Sequence, residues 1–359
     1  MIKCFAADTI FYQGQQYTNS TAVFAEGVFQ EIVATQKSIA TPIFFKNGWL
    51  SPGFIDCQVY GASNQLLSEY PQPETLATMV KTFANTGTVL CVPTVATNST
   101  AVTEACILAV KNYIEAGGLG IAGIHLEGPW IAKEKRGAHV AAFIQPITEQ
   151  AVLHWLQLAA GTWKMVTLAP ELCTPAILNL LNKHQVIVSA GHSQANFAQA
   201  TTSFEQGVTA VTHLYNAMSG HHHRQPGLVE AALLHPTVFT SIIPDGVHVS
   251  FEHVRLAAAC KPSSLFAITD AVTTTTTGPY QHSLAGSHYA SNGTLSGSSI
   301  SMLQALYNLV HHVKLPLRQA VDMCTTIPAT LLQTSYATSI ENWIVVDDSL
   351  QSAKKIADL

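Results

Sequence analysis

The stretch Val186-Ile187-Val188-Ser189-Ala190-Gly191-His192-Ser193 is a short β-branched run that stops at a glycine and delivers a histidine. Val208-Thr209-Ala210-Val211-Thr212-His213 does the same a little further on, and Ile121-Ala122-Gly123-Ile124-His125-Leu126-Glu127 does it earlier with a glutamate. Runs of this length bounded by turn residues read as buried strands. In a barrel of parallel strands, side chains at the carboxyl ends converge on one mouth. Glu127, His192 and His213 are therefore candidate ligands of a single divalent ion. Three nitrogen or oxygen ligands with a fourth position open make a catalytic rather than a structural site.

Outward from these runs, the sequence between about Phe54 and Asp270 alternates short apolar strands with amphipathic stretches, the pattern of repeated βα units. Eight strands are expected, near Phe54–Val59, Val89–Val92, Ile121–Leu126, Met165–Ala169, Val186–Ala190, Ala210–Thr212, Thr240–Ile243 and Leu265–Thr269. Helical patterns such as Pro73–Ala84, Ala101–Ala116, Ala176–Lys183 and Phe251–Ala259 separate them. The fold class is thus α/β, a (β/α)8 barrel. The first fifty residues read instead as small antiparallel strands with turns at Gln13-Gly14 and Glu26-Gly27, and Trp343–Asp347 reads as a strand returning to the same sheet. A small β-sandwich domain built from both ends, 1–50 and 331–359, is expected to flank a barrel spanning 51–330. Thr273–Thr277 reads as a solvated loop.

The chain has 359 residues, 48% of them hydrophobic and only 11% charged, with a net charge of −5. It is long enough for a layered core and more than one barrel requires. The charge balance argues against nucleic-acid binding. Neither a membrane-spanning apolar stretch nor a secretory signal is visible, so a cytoplasmic protein is expected. Seven scattered cysteines without a Cys-x-x-Cys pair point away from disulfides and zinc knuckles.

Glu127 precedes the break Gly128-Pro129, where a barrel mouth should begin, which favours a ligand over a core carboxylate. His125, one pleat deeper on the same face, reads as a hydrogen-bonded wall residue. Asp270 ends the eighth strand in Leu265-Phe266-Ala267-Ile268-Thr269-Asp270 and faces the same mouth, next to the first strand because the barrel closes. It is the natural general base rather than a helix cap.

These residues and their surroundings resemble the N-acetylglucosamine-6-phosphate deacetylases of the amidohydrolase superfamily, nearly from end to end. The resemblance rests on Leu50-Ser51-Pro52-Gly53-Phe54-Ile55-Asp56, His125-Leu126-Glu127-Gly128-Pro129-Trp130, Ser189-Ala190-Gly191-His192-Ser193 and Thr212-His213-Leu214-Tyr215-Asn216-Ala217-Met218. It extends to Asp245-Gly246-Val247-His248-Val249, Thr269-Asp270-Ala271 and Gly293-Thr294-Leu295-Ser296-Gly297-Ser298. It implies metal-dependent hydrolysis of the acetamide of N-acetylglucosamine 6-phosphate. Glu127, His192 and His213 would hold one divalent ion, zinc first and iron or another transition metal second, and Asp270 would shuttle the proton. His139 would contact the substrate near the acetamide or the ring hydroxyls. Arg224 and His248 would bind the phosphate, with Asn216 and the backbone of Ala217 adding donors, in a pocket completed across the interface of a homodimer.

Many amidohydrolases carry a His-x-His pair on the first strand that binds a second metal. Here those positions are Gln58 and Tyr60, and glutamine is a poor substitute for imidazole at zinc. The resemblance is therefore to the single-metal branch. Other amidohydrolases, such as dihydroorotases and hydantoinases, often bridge two metals with a carboxylated lysine ending the fourth strand, whereas Lys164 lies at that strand's start. Deacetylation of N-acetylgalactosamine 6-phosphate is the harder alternative, and a non-catalytic sugar-phosphate sensor is a third. The segment Thr334–Leu359 contains no glycine, unlike the glycine-containing hairpins expected there, which suggests a trimmed or remodelled small domain.

Overall fold

The computed structural model describes all residues from Met1 to Leu359. Eight parallel strands run in chain order around one sheet: Phe54–Val59, Thr88–Ala96, Ile124–Glu127, Trp163–Leu168, Ile187–Ala190, Ala210–Val211, Phe239–Ile242 and Leu265–Ala267. They are called the first to eighth barrel strands below. The sheet closes through Asp270, whose N–H donates to the Gln58 carbonyl at 3.0 Å, and through Tyr60, whose N–H donates to the Ala271 carbonyl at 2.9 Å. Closure therefore sets the end of the eighth strand directly against the end of the first.

The strands are buried on both faces, as parallel strands under a helical layer must be. The helices begin where side-chain oxygens can take up their free N–H groups. Ser99 caps Thr100–Glu115, Thr148 caps Glu149–Ala159, Thr174 caps Pro175–Lys183 and Ser250 caps Phe251–Cys260. Asn196 forms a reciprocal capping box with Gln199 on Phe197–Glu205. Barrel and helices share one apolar core that includes Phe54, Val92, Leu126, Val166, Val188 and Phe266. No helix is long and apolar enough to cross a membrane.

Both chain ends form a separate sheet of seven strands with its own core of Phe5, Phe24, Leu50, Trp343 and Ile356. Here one expectation is corrected, because the pairing is not wholly antiparallel. Ile2–Tyr12 pairs antiparallel with Gln15–Thr18 and Ser20–Ala25 but parallel with Ile43–Pro52. After Val28–Ala34 the chain crosses over through the turn Thr35–Lys37 and re-enters in the direction of its first strand. The returning strand Trp343–Asp347 pairs antiparallel with Gly48–Pro52. Without a glycine, its hairpin to Ala353–Lys355 turns on Asp347, whose Oδ1 accepts from the N–H groups of Gln351 and Ser352 at 2.8 and 3.2 Å.

Beyond the eighth strand lies a feature absent from the sequence reading, a three-stranded antiparallel sheet of Ser283–Ala285, His288–Ser291 and Thr294–Ser298. The threonine run leading to it is not a solvated loop throughout. Thr273 and Thr275 are buried; Thr273 Oγ1 accepts from Asn64 N–H at 2.9 Å, and Thr275 Oγ1 donates to the Tyr280 carbonyl at 2.6 Å.

Candidate metal centre and active site

Three of the residues expected at the mouth sit in the left-handed backbone region: His192 at φ 48°, His213 at φ 33° and Asp270 at φ 53°. A side chain other than glycine pays roughly 1–3 kcal/mol there, and only firm neighbours hold it. Ala132 N–H donates to the His192 carbonyl at 2.8 Å, His213 N–H donates to Ser241 Oγ at 2.8 Å, and Ser298 N–H donates to the Asp270 carbonyl at 3.1 Å. The chain thus turns sharply at the residue that bears the functional group and aims it at the barrel axis. Glu127 ends its strand before Gly128, at φ +84°, where a Cβ would stand 2.1 Å from Thr97 Oγ1. That hydroxyl donates to the Glu127 carbonyl at 3.2 Å, so the tight packing fixes the glutamate's backbone.

Glu127 Oε1, His192 Nε2 and His213 Nε2 form a triangle with edges of 3.2, 3.1 and 3.1 Å. Ligands of a tetrahedral ion with bonds of about 2.0–2.1 Å stand about 3.3 Å apart. His192 Nδ1 donates to the Lys135 carbonyl at 2.8 Å, which puts the ring's proton on that side and turns the Nε2 lone pair inward. Burial pushes His192 down to about 4, so its ring is neutral. Burial works against the charged form of His213 too, but the hydrogen bond and charge of Glu127 raise its pKa. His192 turns a lone pair toward the point that Glu127 Oε1 and His213 Nε2 share, and the three residues fit a divalent ion that takes the place of the His213 proton held against Glu127. Glu127, His139 and His192 also bring ligand atoms within 4.8 Å of one another. In that set His139 meets the other carboxylate oxygen, its Nε2 3.0 Å from Glu127 Oε2, while its Nδ1 lies 2.7 Å from Thr97 Oγ1.

The first strand supplies hydrogen-bond donors where the fifth and sixth supply acceptors. Gln58 Nε2 donates to Glu127 Oε1 at 2.9 Å and to Asp270 Oδ1 at 2.7 Å. The Tyr60 hydroxyl donates to Glu127 Oε2 at 2.5 Å and lies 3.3 Å from Asp270 Oδ1. Burial, reinforced by the charges of Asp270 and Glu127, keeps the phenol far above its usual pKa and so neutral. For Asp270, burial first and the Glu127 charge next raise the carboxyl above the ordinary aspartate range, against the pull of His213 and His248. A carboxyl with raised proton affinity beside a cation site is equipped for general acid–base work.

Tyr60, Glu127, His139, His192, His213, Asn216, Ala217, His248 and Asp270 all line one cavity of about 880 Å³, counting its open mouth. His248 Nδ1 lies 2.6 Å from Asp245 Oδ2, and Asp245 Oδ1 accepts from the N–H groups of Val247 and His248, so the aspartate fixes both ring and loop. Arg224 is not brought to this cavity; it is exposed on the loop His221–Gly227, where His221 pairs with Glu230 at 2.9 Å. His125 Nε2 bonds Thr167 Oγ1 at 2.7 Å within the wall, and Lys164 lies at the amino end of the fourth strand, away from the mouth.

In the sequence Gln58 and Tyr60 read only as missing imidazoles, Asp245 stands in a motif without a role of its own, and Thr97, the Lys135 carbonyl, Tyr280 and His282 carry no signal. The Asp245-x-x-His248 spacing was the one signal available, since an aspartate before a turn can reach a histidine three residues on.

Residues 49–342 match the model of the amidohydrolase family. An N-acetylgalactosamine-6-phosphate deacetylase of a Shewanella species is 33% identical over 84% of this chain and 80% of its own length. An N-acetylglucosamine-6-phosphate deacetylase of Haemophilus influenzae is 30% identical over 96% of this chain and 91% of its own. Among solved structures, the N-acetylglucosamine-6-phosphate deacetylase of Pasteurella multocida superposes with a TM-score of 0.91 at 26% identity, covering 98% of this chain and 97% of that one. The enzyme of the same name from Mycobacterium smegmatis gives 0.89 at 26% identity over 98% and 97%. With the barrel, the strand-end donors and the aspartate already in place, these matches establish that the chain belongs to the amidohydrolase family.

Proposed function

We propose that this chain hydrolyses the acetamide of N-acetylglucosamine 6-phosphate, yielding glucosamine 6-phosphate and acetate. The observation that carries the reading is the convergence of Glu127 Oε1, His192 Nε2 and His213 Nε2 in the cavity that also holds Asp270. The names of the relatives supply the substrate class.

Glu127, His192 and His213 would hold one divalent ion, zinc in this reading, which would supply Lewis-acid activation of the acetamide carbonyl and of the attacking water. Asp270 accepts a proton from the attacking water and returns it to the sugar nitrogen as the C–N bond breaks, leaving acetate and the amine. Its raised proton affinity suits both halves of that transfer. Gln58 and Tyr60 orient the Asp270 and Glu127 carboxylates with neutral donors. His139, held by Thr97 on one ring nitrogen and by Glu127 Oε2 on the other, lines the cavity beside the acetamide and would meet the substrate by exchanging its Glu127 contact. His248, Asn216 and the Ala217 backbone contact the phosphate. Arg224, outside the cavity of its own chain, joins them across a homodimer interface. Seven unpaired cysteines fit a reducing, cytoplasmic setting.

Acetate release from N-acetylglucosamine 6-phosphate, N-acetylgalactosamine 6-phosphate and the unphosphorylated sugars tests this directly. Turnover of the glucosamine phosphate with strong loss on removing the phosphate is expected. Preference for the galactosamine phosphate would favour the activity named for the Shewanella relative. No acetate from any of them would favour a sensor.

A further inference from the structure

The cavity wall beyond the barrel is the hairpin that follows the eighth strand, represented by His282, Leu295, Ser296 and Gly297. His282 is 5% exposed and held at three points. Its N–H donates to Thr275 Oγ1 at 3.1 Å, its carbonyl accepts from Thr275 N–H at 3.1 Å, and its Nδ1 lies 2.9 Å from Ser296 Oγ. The other ring nitrogen, Nε2, has no protein partner and belongs to a residue lining the cavity. That nitrogen is not sealed in the core but open at the cavity wall, and a ring held rigidly there is placed to meet a ligand.

The surroundings say which part of a ligand. Tyr280 lies parallel to His282 with centroids 6.3 Å apart, and edge-on to His139 at 6.4 Å. His282 therefore stands one ring beyond His139 and the acetamide end. The phosphate contacts proposed above, His248 and Asn216, come instead from the loops after the seventh and sixth strands. Burial pushes the imidazole down to about 4, so it is neutral near pH 7 and matched to a hydroxyl rather than to a phosphate dianion.

We propose that His282 is a specificity-determining residue that hydrogen-bonds one ring hydroxyl of the amino sugar through Nε2. The inference rests on the sugar-phosphate reading of the site. Its test is binding, measured calorimetrically on zinc-loaded Asp270→Asn protein with N-acetylglucosamine 6-phosphate and its 3-deoxy and 4-deoxy analogues. His282→Phe keeps the ring and removes its hydrogen bonding. It should weaken the parent sugar about five- to tenfold while leaving the analogue that lacks the contacted hydroxyl within about twofold. His282→Gln should recover most of the loss. Ser296→Ala, which frees the ring without replacing it, should give a smaller loss with the same pattern even where His282→Phe does not fold. Equal weakening of all three sugars, no weakening of any, or no sugar binding at all overturns the proposal. Failure of the deacetylase reading shows separately, as intact sugar-phosphate binding by the unsubstituted protein without acetate release.

Discussion

Two sides of the barrel mouth meet at Glu127 and carry opposite chemistry. From the fifth and sixth strands, His192 and His213 turn ring nitrogens toward its Oε1, with His192's proton committed to the Lys135 carbonyl behind it. From the first strand, Gln58 and Tyr60 turn an amide and a hydroxyl toward the same carboxylate and toward Asp270. Acceptors facing an acceptor call for a cation, whereas donors facing a carboxylate satisfy it without one. One side carries the groups an ion can take up, and the other carries donors that satisfy the carboxylates directly.

The largest break in this picture comes from Asp270→Asn, which keeps a side-chain oxygen for the Gln58 amide and removes the proton acceptor. Steady-state turnover should fall about 10²- to 10⁴-fold with metal content unchanged. Tyr60→Phe strips one donor from Glu127 and should cost about 10- to 100-fold in metal affinity or activity. Converting the donor side outright, with Gln58→His and Tyr60→His together, should raise the metal content above one per chain.

Asp245→Ala tests the cavity away from both sides. Releasing the His248 ring should raise KM for the phosphorylated sugar about tenfold, with a smaller change in kcat. The smallest effect lies at the seam below the donor side, where Asp56 Oδ1 accepts from the N–H groups of Gln58 and Thr269, both at 3.2 Å. Burial lifts this carboxyl from 3.8 to about 7, so the folded chain holds its proton more tightly than the unfolded chain. Its contribution to stability is fully present below the unfolded value of 3.8 and is lost as pH rises through about 7. Asp56→Asn should flatten that part of the Tm–pH curve, read by calorimetry from about pH 4 to 8.

The same contrast explains what was legible in the sequence. Strand runs ending in His192, His213 and Glu127 announce themselves because a parallel barrel sends every strand end to one mouth, and Asp270 follows from closure. The eight barrel strands are legible to within a few residues because each is an apolar run bounded by turn residues. What escaped depends on contacts made across the fold. Gln58 and Tyr60 look inert until closure sets them against Asp270. Arg224 carries its charge outside the cavity of its own chain. Thr275 and His282 become a wall only once a hairpin forms over the mouth, and the parallel pairing of Ile2–Tyr12 with Ile43–Pro52 depends on a crossover that alternating residues do not encode.

The most direct test is zinc titration of metal-free protein alongside His213→Ala and His139→Ala. One equivalent per chain should bind to the unsubstituted protein, be lost in His213→Ala and persist in His139→Ala. Retention in His213→Ala with loss in His139→Ala would instead place the ion among Glu127, His139 and His192 and contradict the account.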